Sequence, residues 1–293
     1  MGAMIRPLSQ GDVPRLLELL SWMDQDHSRG VMAPDSRSEE GLAFELAALE
    51  EDNQGSAWVL EEDSELKGYT GLYPFWEGGT LEGPVIKGAD GQALLRQAVE
   101  EARRRGLEAL FAFPLEANKP LRSLLEAHGF QAQHTTYFFS TGPRDLSFAP
   151  PAGIQISQED NADPEVYRDL YRRSEDGWSL RLTWTDEELA EHFDDPGITL
   201  FVAYQKGKPV GLVELEHSEE AEISYLGVVP EARGQGVGRA LLGSAATAAF
   251  ALGAKKLRVR AHDHEKKAQE LYRRLGFALE QSVVTYALEL RQA

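Results

Sequence analysis

Residues 228–242 read VVPEARGQGVGRALL, with glycines at 234, 236 and 238 between an apolar run and a helix-patterned segment. Alternating glycines let successive backbone N–H groups turn to one side without obstruction from a Cβ atom. A helix that starts behind them adds the positive end of its dipole. The stretch is therefore typical of a turn that binds a pyrophosphate between a strand and a helix, and a flexible turn without a ligand is the alternative.

Two common phosphate loops do not fit this stretch. A Walker loop needs Gly-Lys followed by Ser or Thr, which occurs nowhere in the chain. The dinucleotide fingerprint G-x-G-x-x-G fails because Gly236-Val-Gly238 is followed by Arg, Ala and Leu. The pattern that remains is R-x-x-G-x-G, which begins at Arg233.

Composition limits the classes of protein to consider. The 293 residues suffice for two ordinary domains. The absence of cysteine excludes disulfides, thiolate metal sites and a cysteine nucleophile. A net charge of −18 argues against general binding to nucleic acid. Neither a leader segment nor an apolar run of about 18 residues is evident, so we expect a cytoplasmic protein without a membrane partner.

A long repeat divides the chain. Gly129-Phe130 matches Gly276-Phe277, and Ala93-Leu94-Leu95 matches Ala240-Leu241-Leu242, both at an offset of 147 residues. One repeat of this length indicates two copies of a domain. Proline and glycine between the copies mark a linker. We predict a first domain at 1–142, a linker at 143–152 and a second domain at 153–293.

Within each copy the apolar patterns predict a mixed α/β fold. Strands and hairpins come first, and a strand–helix–strand step surrounds the glycine stretch. The sheet is therefore expected to be largely antiparallel early and parallel at one late pair. The fold class is α/β with a mixed α+β sheet, in two tandem domains.

The second copy resembles the GNAT superfamily of acyl-CoA-dependent N-acyltransferases. Arg233, Gly236 and Gly238 fill its [RQ]-x-x-G-x-[GA] loop, and residues 268–277 carry its late A-x-x-L-Y-x-x-x-G-F helix. The resemblance spans the second copy and implies acetyl-CoA as co-substrate, with its pyrophosphate on the glycine loop and no metal. The two-copy layout is similar to that of mycothiol synthases, a likeness of architecture only.

The resemblance also implies the residues that contact coenzyme A. These residues are Leu226, Gly227, Val228, Val229, Arg233, Gly234, Gln235, Gly236, Val237, Gly238, Arg239 and Glu265. Glu265 stands where the family usually has asparagine, and a carboxylate cannot donate as an amide can. The first copy keeps that asparagine as Asn118 but has a loop three residues shorter, with Leu125 in place of Tyr272. We expect the first copy to retain the fold without catalysis.

The resemblance assigns catalytic roles to two residues, with direct attack of an amine in a ternary complex. Tyr272 is expected from its place in the family motif to protonate the departing thiolate, although its spacing in an apolar helical stripe alone favours the core. Glu222 is expected to accept a proton from the amine, although a solvated strand-end carboxylate is as plausible. Glu214, Glu216 and His217 are reserves for that base. Backbone N–H groups of residues 226–228 would hold the oxyanion, with a bulge at Gly227.

Three further expectations complete the analysis. Strand alternation places Glu222, Ser224 and Leu226 on one face, with Ile223 and Tyr225 on the other. Trp178, Trp184 and Phe193 either line an acceptor site or pack in the core. His262, Asp263 and His264 are read as a solvated loop, so no metal site is expected.

The acceptor expected is a primary amine of a small molecule. Acetylation of a protein N-terminus or lysine is the alternative enzyme function. A coenzyme A-binding module without turnover is the alternative outside enzymes.

Overall fold

The computed structural model describes residues 3–52, 55–75, 78–88, 90–159, 163–174, 180–217 and 220–290. The chain separates into two compact units. The first comprises Met1–Thr136 with Gln281–Ala293, and the second comprises Tyr137–Glu280. Each unit alternates helices and strands, which confirms the predicted mixed α/β class.

The first copy of the repeat contains four α-helices and six strands among its described residues. They are β1 (Met4–Pro7), α1 (Val13–Asp24), α2 (Glu39–Asp52), β2 (Ser56–Glu62), β3 (Glu65–Phe75), β4 (Gly78–Ile86), α3 (Gln92–Arg104), β5 (Ala109–Ala112), α4 (Lys119–Ala127) and β6 (Gln131–Thr141).

The second copy contains the same number of each over the part of the chain that the structure describes. They are β7 (Ile154–Glu159), α5 (Pro164–Arg173), α6 (Asp186–Asp194), β8 (Ile198–Gln205), β9 (Lys208–Glu216), β10 (Glu220–Val228), α7 (Val237–Ala251), β11 (Lys256–His262), α8 (Lys266–Arg274) and β12 (Ala278–Glu289).

Each unit has a sheet with one parallel pair at the predicted place. In the first unit the strand order is β1-β2-β3-β4-β5-β12, and β4 and β5 run parallel. In the second unit the order is β6-β11-β10-β9-β8-β7, and β10 and β11 run parallel. The early strands of each copy pair antiparallel, and β5 and β12 also pair antiparallel. The strand–helix–strand step through α3 or α7 produces the parallel pair in each case.

The units divide the chain differently from the predicted boundaries at 142 and 153. Residues 281–289 of β12 belong to the first unit, where Tyr286 pairs with Ala112. Residues 137–141 of β6 belong to the second unit, where the Phe139 side chain is fully buried. Each unit thus takes a sheet strand from the sequence of the other copy. Strand pairing over more than 140 residues leaves no local pattern, which is why the repeat did not reveal it.

The predicted linker at 143–152 is packed against the second unit. Leu146 is buried in that unit's core, and the Arg144 guanidinium donates to the Gly276 carbonyl oxygen at 2.9 Å. A Cβ atom at Gly243 of α7 would lie 2.6 Å from the Leu146 carbonyl oxygen. The glycine at 243 therefore lets this segment approach α7 closely.

Local signals in the second copy correspond to observed caps and turns. Thr185 and Glu188 have the spacing of a capping box, and they form that box at the start of α6. Lys206 and Gly207 turn the β8–β9 hairpin with positive φ angles of 53° and 75°. In the described parts of the chain no helix has the length and apolar character needed to cross a membrane.

Candidate functional site

The second unit opens its sheet between the two parallel strands. Pairing of β10 with β11 ends at Ile223 and Val259, whereas β10 stays paired with β9 as far as Val228 and Gly211. Residues 224–228 of β10 therefore have no strand partner on the β11 side within the described residues, and we call them the open edge. Alternate N–H and C=O groups of a strand point to each side, so some of those on the open edge are available to a ligand.

The glycine loop follows the open edge directly. Gly234 has φ of +75° and Gly236 has φ of +90°, a conformation that side chains rarely adopt. Gly236 is also the N-cap of α7 and has no side chain to cap the helix. The first N–H groups of α7 consequently lack partners within the helix and carry its positive dipole end. This bare backbone fits a pyrophosphate.

The charged side chains of the loop are used within the protein. The Arg233 guanidinium donates to the carbonyl oxygens of Val228 at 2.9 Å and Ser174 at 2.8 Å. The Arg239 guanidinium lies 4.8 Å from the centre of the Phe148 ring. Arg233 thus ties the loop to the end of β10 and to the end of α5.

Among the uncharged residues predicted to bind coenzyme A, Val229 is held by contacts within the protein. Val229 is fully buried, and its N–H donates to the Val210 carbonyl oxygen at 3.0 Å. The Gln235 amide donates to the Glu231 carbonyl oxygen at 3.0 Å. Gly227, Val237 and Gly238 have only backbone and apolar groups to offer.

Glu265 closes the turn before α8. Its carboxylate accepts the His262 N–H at 2.7 Å, and the Gln269 amide donates to the His262 carbonyl oxygen at 2.8 Å. At the matching position of the first copy, Asn118 caps α4 by accepting the Leu121 N–H at 3.2 Å. Asn118 therefore caps its helix, whereas the Glu265 side chain makes no cap hydrogen bond to α8 and holds the turn before it.

Tyr272 lies on α8 with its ring in the core of the second unit. The side chain is 4% exposed, and its ring centre lies 5.8 Å from that of Phe139 and 6.0 Å from that of Phe277. Burial raises the pKa of the Tyr272 hydroxyl well above its usual value; nearby Glu265 adds to the rise and Arg260 opposes it. No described residue hydrogen-bonds to that hydroxyl. Tyr272 is thus both a core residue and a protonated, uncommitted donor.

A β-bulge in β10 changes which of its side chains lie on the same face of the sheet. The register of β10 against β9 shifts between Ile223 and Tyr225, so Ser224 is the extra residue and Gly227 stays in register opposite Leu212. The bulge is therefore at Ser224 and not at Gly227.

The extra residue reverses the alternation beyond Ser224. Glu222 pairs with Glu216 and Tyr225 pairs with Glu214, and these partners are two apart on β9. Paired residues share a face, so Tyr225 lies on the face of Glu222, and Leu226 lies on the other. The predicted separation of Glu222 from Tyr225 was wrong.

We call the side of β9 and β10 that carries Glu214, Glu216, Glu222 and Tyr225 the carboxylate face. Helix α5 packs against both strands. Burial raises the pKa of the Glu222 carboxyl above its usual value, Arg260 and Arg258 lower it, and Glu216 raises it further. The Arg260 guanidinium also donates to the Ser224 carbonyl oxygen at 3.3 Å. Glu222 is therefore a partly desolvated carboxylate beside the open edge.

The carboxylate face also holds a network around Glu214, which sequence reasoning gave only as a reserve. Glu214 is fully buried and accepts hydrogen bonds from Tyr167 at 3.1 Å and Ser224 at 2.8 Å. His192 Nε2 lies 3.1 Å from Glu214 Oε1. The donors come from α5, the β10 bulge and α6. Separations of 10 to 47 residues explain why no local motif indicated this network.

Aromatic rings surround the network. Tyr171 stacks on Tyr225 with ring centres 4.4 Å apart, and Trp184 and Phe193 contact the His192 ring at 5.2 and 5.0 Å. Trp178, predicted in the same cluster, lies outside the described residues.

The remaining candidates lie away from this network. The rings of His262 and His264 stack at 5.7 Å, and the described residues include no group of three or more potential metal ligands. His217 hydrogen-bonds to Thr199 at 2.6 Å, and burial lowers its pKa.

The first unit has a similar opening, but its own chain occupies it. Pairing of β4 with β5 ends at Leu81 and Ala112. Beyond that point residues 30–32 run between the two strands. The N–H of Gly83 donates to the Met32 carbonyl oxygen at 2.7 Å, and the N–H of Met32 donates to the Phe113 carbonyl oxygen at 3.1 Å. We call residues 30–32 the plug.

Two further contacts fix the plug. The Leu115 N–H and the Asn118 amide both donate to the Gly30 carbonyl oxygen, at 3.0 and 3.1 Å. A Cβ atom at Gly30 would lie 2.4 Å from Leu115 Cδ1, so a larger residue at position 30 would displace the Leu115 side chain. Leu125, at the position of Tyr272, is fully buried and offers no proton.

Comparisons with known proteins agree with this geometry. The sequence profile of the Acetyltransferase (GNAT) family matches residues 16–130 and 164–277. A curated relative, an uncharacterized N-acetyltransferase YhfO of Bacillus subtilis (strain 168), is 28% identical over 131 residues, which cover 42% of this chain and 85% of the relative.

Solved structures share the fold over the whole chain. A GCN5-related N-acetyltransferase from Sphaerobacter thermophilus superposes with a TM-score of 0.76 at 19% identity, covering 99% of this chain and 96% of that one. A tandem GNAT protein from the clavulanic acid biosynthesis pathway superposes with a TM-score of 0.69 at 16% identity, covering 100% of both chains. With two profile matches and a tandem structural neighbour, the chain belongs to the acetyltransferase (GNAT) family and is a tandem GNAT N-acetyltransferase, whose family transfers acetyl groups from acetyl-CoA.

Proposed function

We propose that the second unit transfers the acetyl group of acetyl-CoA to a primary amine of a small molecule, by direct attack in a ternary complex. The observation that carries the proposal is the open edge of β10, which lies between the left-handed glycine loop and the carboxylate face. One end offers N–H groups for a pyrophosphate, and the other offers carboxylates for an amine. Holding both reactants together contributes up to roughly 7–11 kcal/mol to such a reaction.

Different residues of the second unit would bind acetyl-CoA, hold the acetyl oxygen and transfer protons. N–H groups of the glycine loop and of α7 would hold the pyrophosphate of acetyl-CoA. N–H groups of the open edge would hold the acetyl oxygen, and one such donor is worth roughly 2.7–4 kcal/mol in other enzymes. Tyr272 would give its proton to the departing thiolate, and Glu222 would take a proton from the amine.

The carboxylate face supports an amine as acceptor. Glu222 and Glu216 are paired across the strands, and the rings of Tyr171 and Tyr225 stack beside them. Such carboxylates attract an ammonium group, and aromatic rings bind a cation or an apolar body. Tyr167 and Tyr171 of α5 and His192 of α6 contact this face. Cover by two helices favours a small acceptor over a protein segment.

We also propose that the first unit binds no acetyl-CoA. The plug uses backbone groups on both sides of its opening, and the shortened loop after β4 has no arginine at the position of Arg233. Leu125 cannot act as an acid. The first unit would then contribute structure alone.

Calorimetric titration with acetyl-CoA tests the stoichiometry. We expect one site per chain, and two sites would contradict the proposal for the first unit. No binding would contradict the proposed function itself.

Transfer is then tested with a panel of primary amines and with peptides carrying free N-termini or lysines. Release of coenzyme A is followed with a thiol reagent, which the chain cannot consume because it has no cysteine. Turnover with small amines only is the expected result. Turnover with peptides only would indicate protein acetylation, and binding without any turnover would indicate a coenzyme A-binding module.

A further inference from the structure

The proton balance of acetyl transfer leaves room for a second proton acceptor beside Glu222. This inference rests on the proposed function. An aliphatic primary amine is an ammonium ion at neutral pH, and the reaction converts it with acetyl-CoA into an acetamide, free coenzyme A and one released proton. Two protons therefore leave the nitrogen, one before attack and one after. Glu222 accounts for only one of them.

We propose that His192 is a catalytic residue that takes the first proton from the ammonium group, and that Glu214 is its positioning residue. The Glu214 carboxylate is fully buried and surrounded by the donors Tyr167, Ser224 and His192. Several hydrogen bonds to a carboxylate favour its ionised form, and they act against the effect of its burial. Toward an ionised carboxylate, which only accepts, the His192 Nε2 atom, 3.1 Å away, carries the hydrogen.

This arrangement fixes the tautomer of His192. With hydrogen on Nε2, the neutral imidazole has its lone pair on Nδ1. No described residue hydrogen-bonds to Nδ1, and the His192 side chain is 17% exposed. Nδ1 is thus left without a hydrogen-bond partner among the described residues, on a side chain that is partly exposed.

The position of His192 suits an amine about to attack the acetyl group. The Glu214 Oε1 atom that faces His192 also accepts from Ser224, the bulge residue at which the open edge begins. Two hydrogen bonds, both to Glu214 Oε1, therefore connect the His192 Nε2 atom with the Ser224 side chain. Trp184 and Phe193 hold its ring edge-on from two sides. The titratable groups joined to it through this network include Glu214 of β9 and Tyr167 of α5.

The complete proton path then balances. His192 Nδ1 takes one proton from the ammonium group and later releases it to water. The free amine attacks the acetyl carbon, and a C–N bond forms while the C–S bond breaks. Glu222 takes the second proton from nitrogen, and Tyr272 protonates the sulfur. Transfer of the proton from Glu222 through water restores Tyr272.

The first test uses His192→Gln, which keeps a donor toward Glu214 but removes the basic nitrogen. We expect kcat/KM for an aliphatic amine to fall about 100-fold or more at pH 7, in line with loss of a general base. The loss should shrink as the pH rises above the pKa of the amine, because the free amine then needs no first deprotonation. KM for acetyl-CoA should not change. Glu214→Gln should show the same pH-dependent loss, and His128→Gln in the first unit is the matched control.

A loss that is equal at all pH values would show that His192 is structural and would overturn the proposal. No loss would overturn it as well. A wild type that acetylates no amine would overturn the proposed function, and this role with it.

The second test does not depend on activity. Long-range ¹⁵N–¹H spectra of the labelled wild-type chain report which nitrogen of His192 carries hydrogen. We expect hydrogen on Nε2, and Glu214→Gln should weaken that preference. Hydrogen on Nδ1 in a wild type that acetylates amines would overturn this inference alone and leave the proposed function intact.

Discussion

Tyr272 combines a buried ring with a hydroxyl that no described residue engages. The ring fills the core between Phe139 and Phe277, so helical periodicity correctly places the residue inside. The same burial keeps the hydroxyl protonated, because the phenolate would be desolvated. A core position and a role as proton donor are therefore compatible in this residue.

Replacement of Tyr272 by phenylalanine should remove the donor and keep the packing. We expect kcat to fall about 10²- to 10⁴-fold, while the dissociation constant of acetyl-CoA stays the same. Steady-state kinetics and calorimetry measure the two quantities. Tyr204→Phe is the control, since it removes a hydroxyl that bonds to Glu159 at 3.0 Å. Equal kcat in Tyr272→Phe and the wild type would exclude the residue as the acid.

Glu222 should govern the acidic side of the pH profile. Its pKa is raised by burial, so the base should become active at a higher pH than an ordinary carboxylate. In Glu222→Gln the kcat/KM profile should lose this acidic limb, and the rate should fall. Glu220→Gln is the control, because Glu220 is an exposed strand neighbour paired with Lys256. An unchanged profile in Glu222→Gln would assign the base elsewhere.

Although Glu222 is expected to support catalysis, its ionised carboxylate should lower the stability of the fold. A carboxyl with a raised pKa binds more protons in the folded state than in the unfolded state. Stability therefore falls as the pH rises from the unfolded pKa through the folded one, and at neutral pH the ionised Glu222 is unfavourable. Glu222→Gln should leave the melting temperature equal or higher at pH 7. A clear decrease would show that Glu222 is held by contacts that stabilise the fold.

At the scale of elements, the glycine loop and the bulge set the geometry of the site. The loop needs two residues in the left-handed region between β10 and α7. The bulge at Ser224 adds one residue to β10 just where it leaves β11. Bulges bend and twist a strand, and this one coincides with the start of the open edge.

A matched pair of glycines tests the loop. Gly234 and Gly207 both have φ of +75°, and a Cβ atom at either would meet nothing within 4 Å. Substitution by alanine should therefore lower the free energy of unfolding by about 1–2 kcal/mol at either position. Only Gly234→Ala places a methyl group in the proposed pyrophosphate site, and loss of one hydrogen bond to a charged group would weaken acetyl-CoA binding about 10- to 100-fold. Equal affinity in the two variants, measured by calorimetry, would remove the loop from the site.

At the scale of the whole molecule, each unit is completed by a strand from the other copy's sequence. Tyr286 is fully buried in the core of the first unit and donates to Glu126 at 2.6 Å. Phe139 is fully buried in the core of the second unit. Tyr286 thus lies in the second copy but in the first unit, and Phe139 lies in the first copy but in the second unit.

Hydrogen exchange distinguishes the division of the chain into two compact units from its division into two repeat copies. Tyr286→Ala should destabilise the first unit by about 3–5 kcal/mol and lower the protection of α3 and α4. Phe139→Ala should instead lower the protection of α7 and α8. If Tyr286→Ala lowered protection in α7 as strongly as in α3, residues 281–289 would not belong to the first unit alone.

Much of the architecture could be predicted from local patterns. The two copies, the parallel pair in each and the capping box of α6 all follow from short-range signals. The glycine loop and the helix of Tyr272 were found by motif, and the family match confirms that resemblance. The bulge at Ser224 was missed because the apolar alternation of β10 shows no extra residue.

The sequence by itself determined the family, the strand–helix turn at the glycines and the inward position of Tyr272, because each depends on backbone conformation and periodicity within about ten residues. Only the tertiary structure decided which unit β12 completes, that Arg233 bonds to backbone carbonyls, and that His192 meets Glu214. Those contacts join residues that are distant in the chain, and their formation depends on how whole sheets and helices pack.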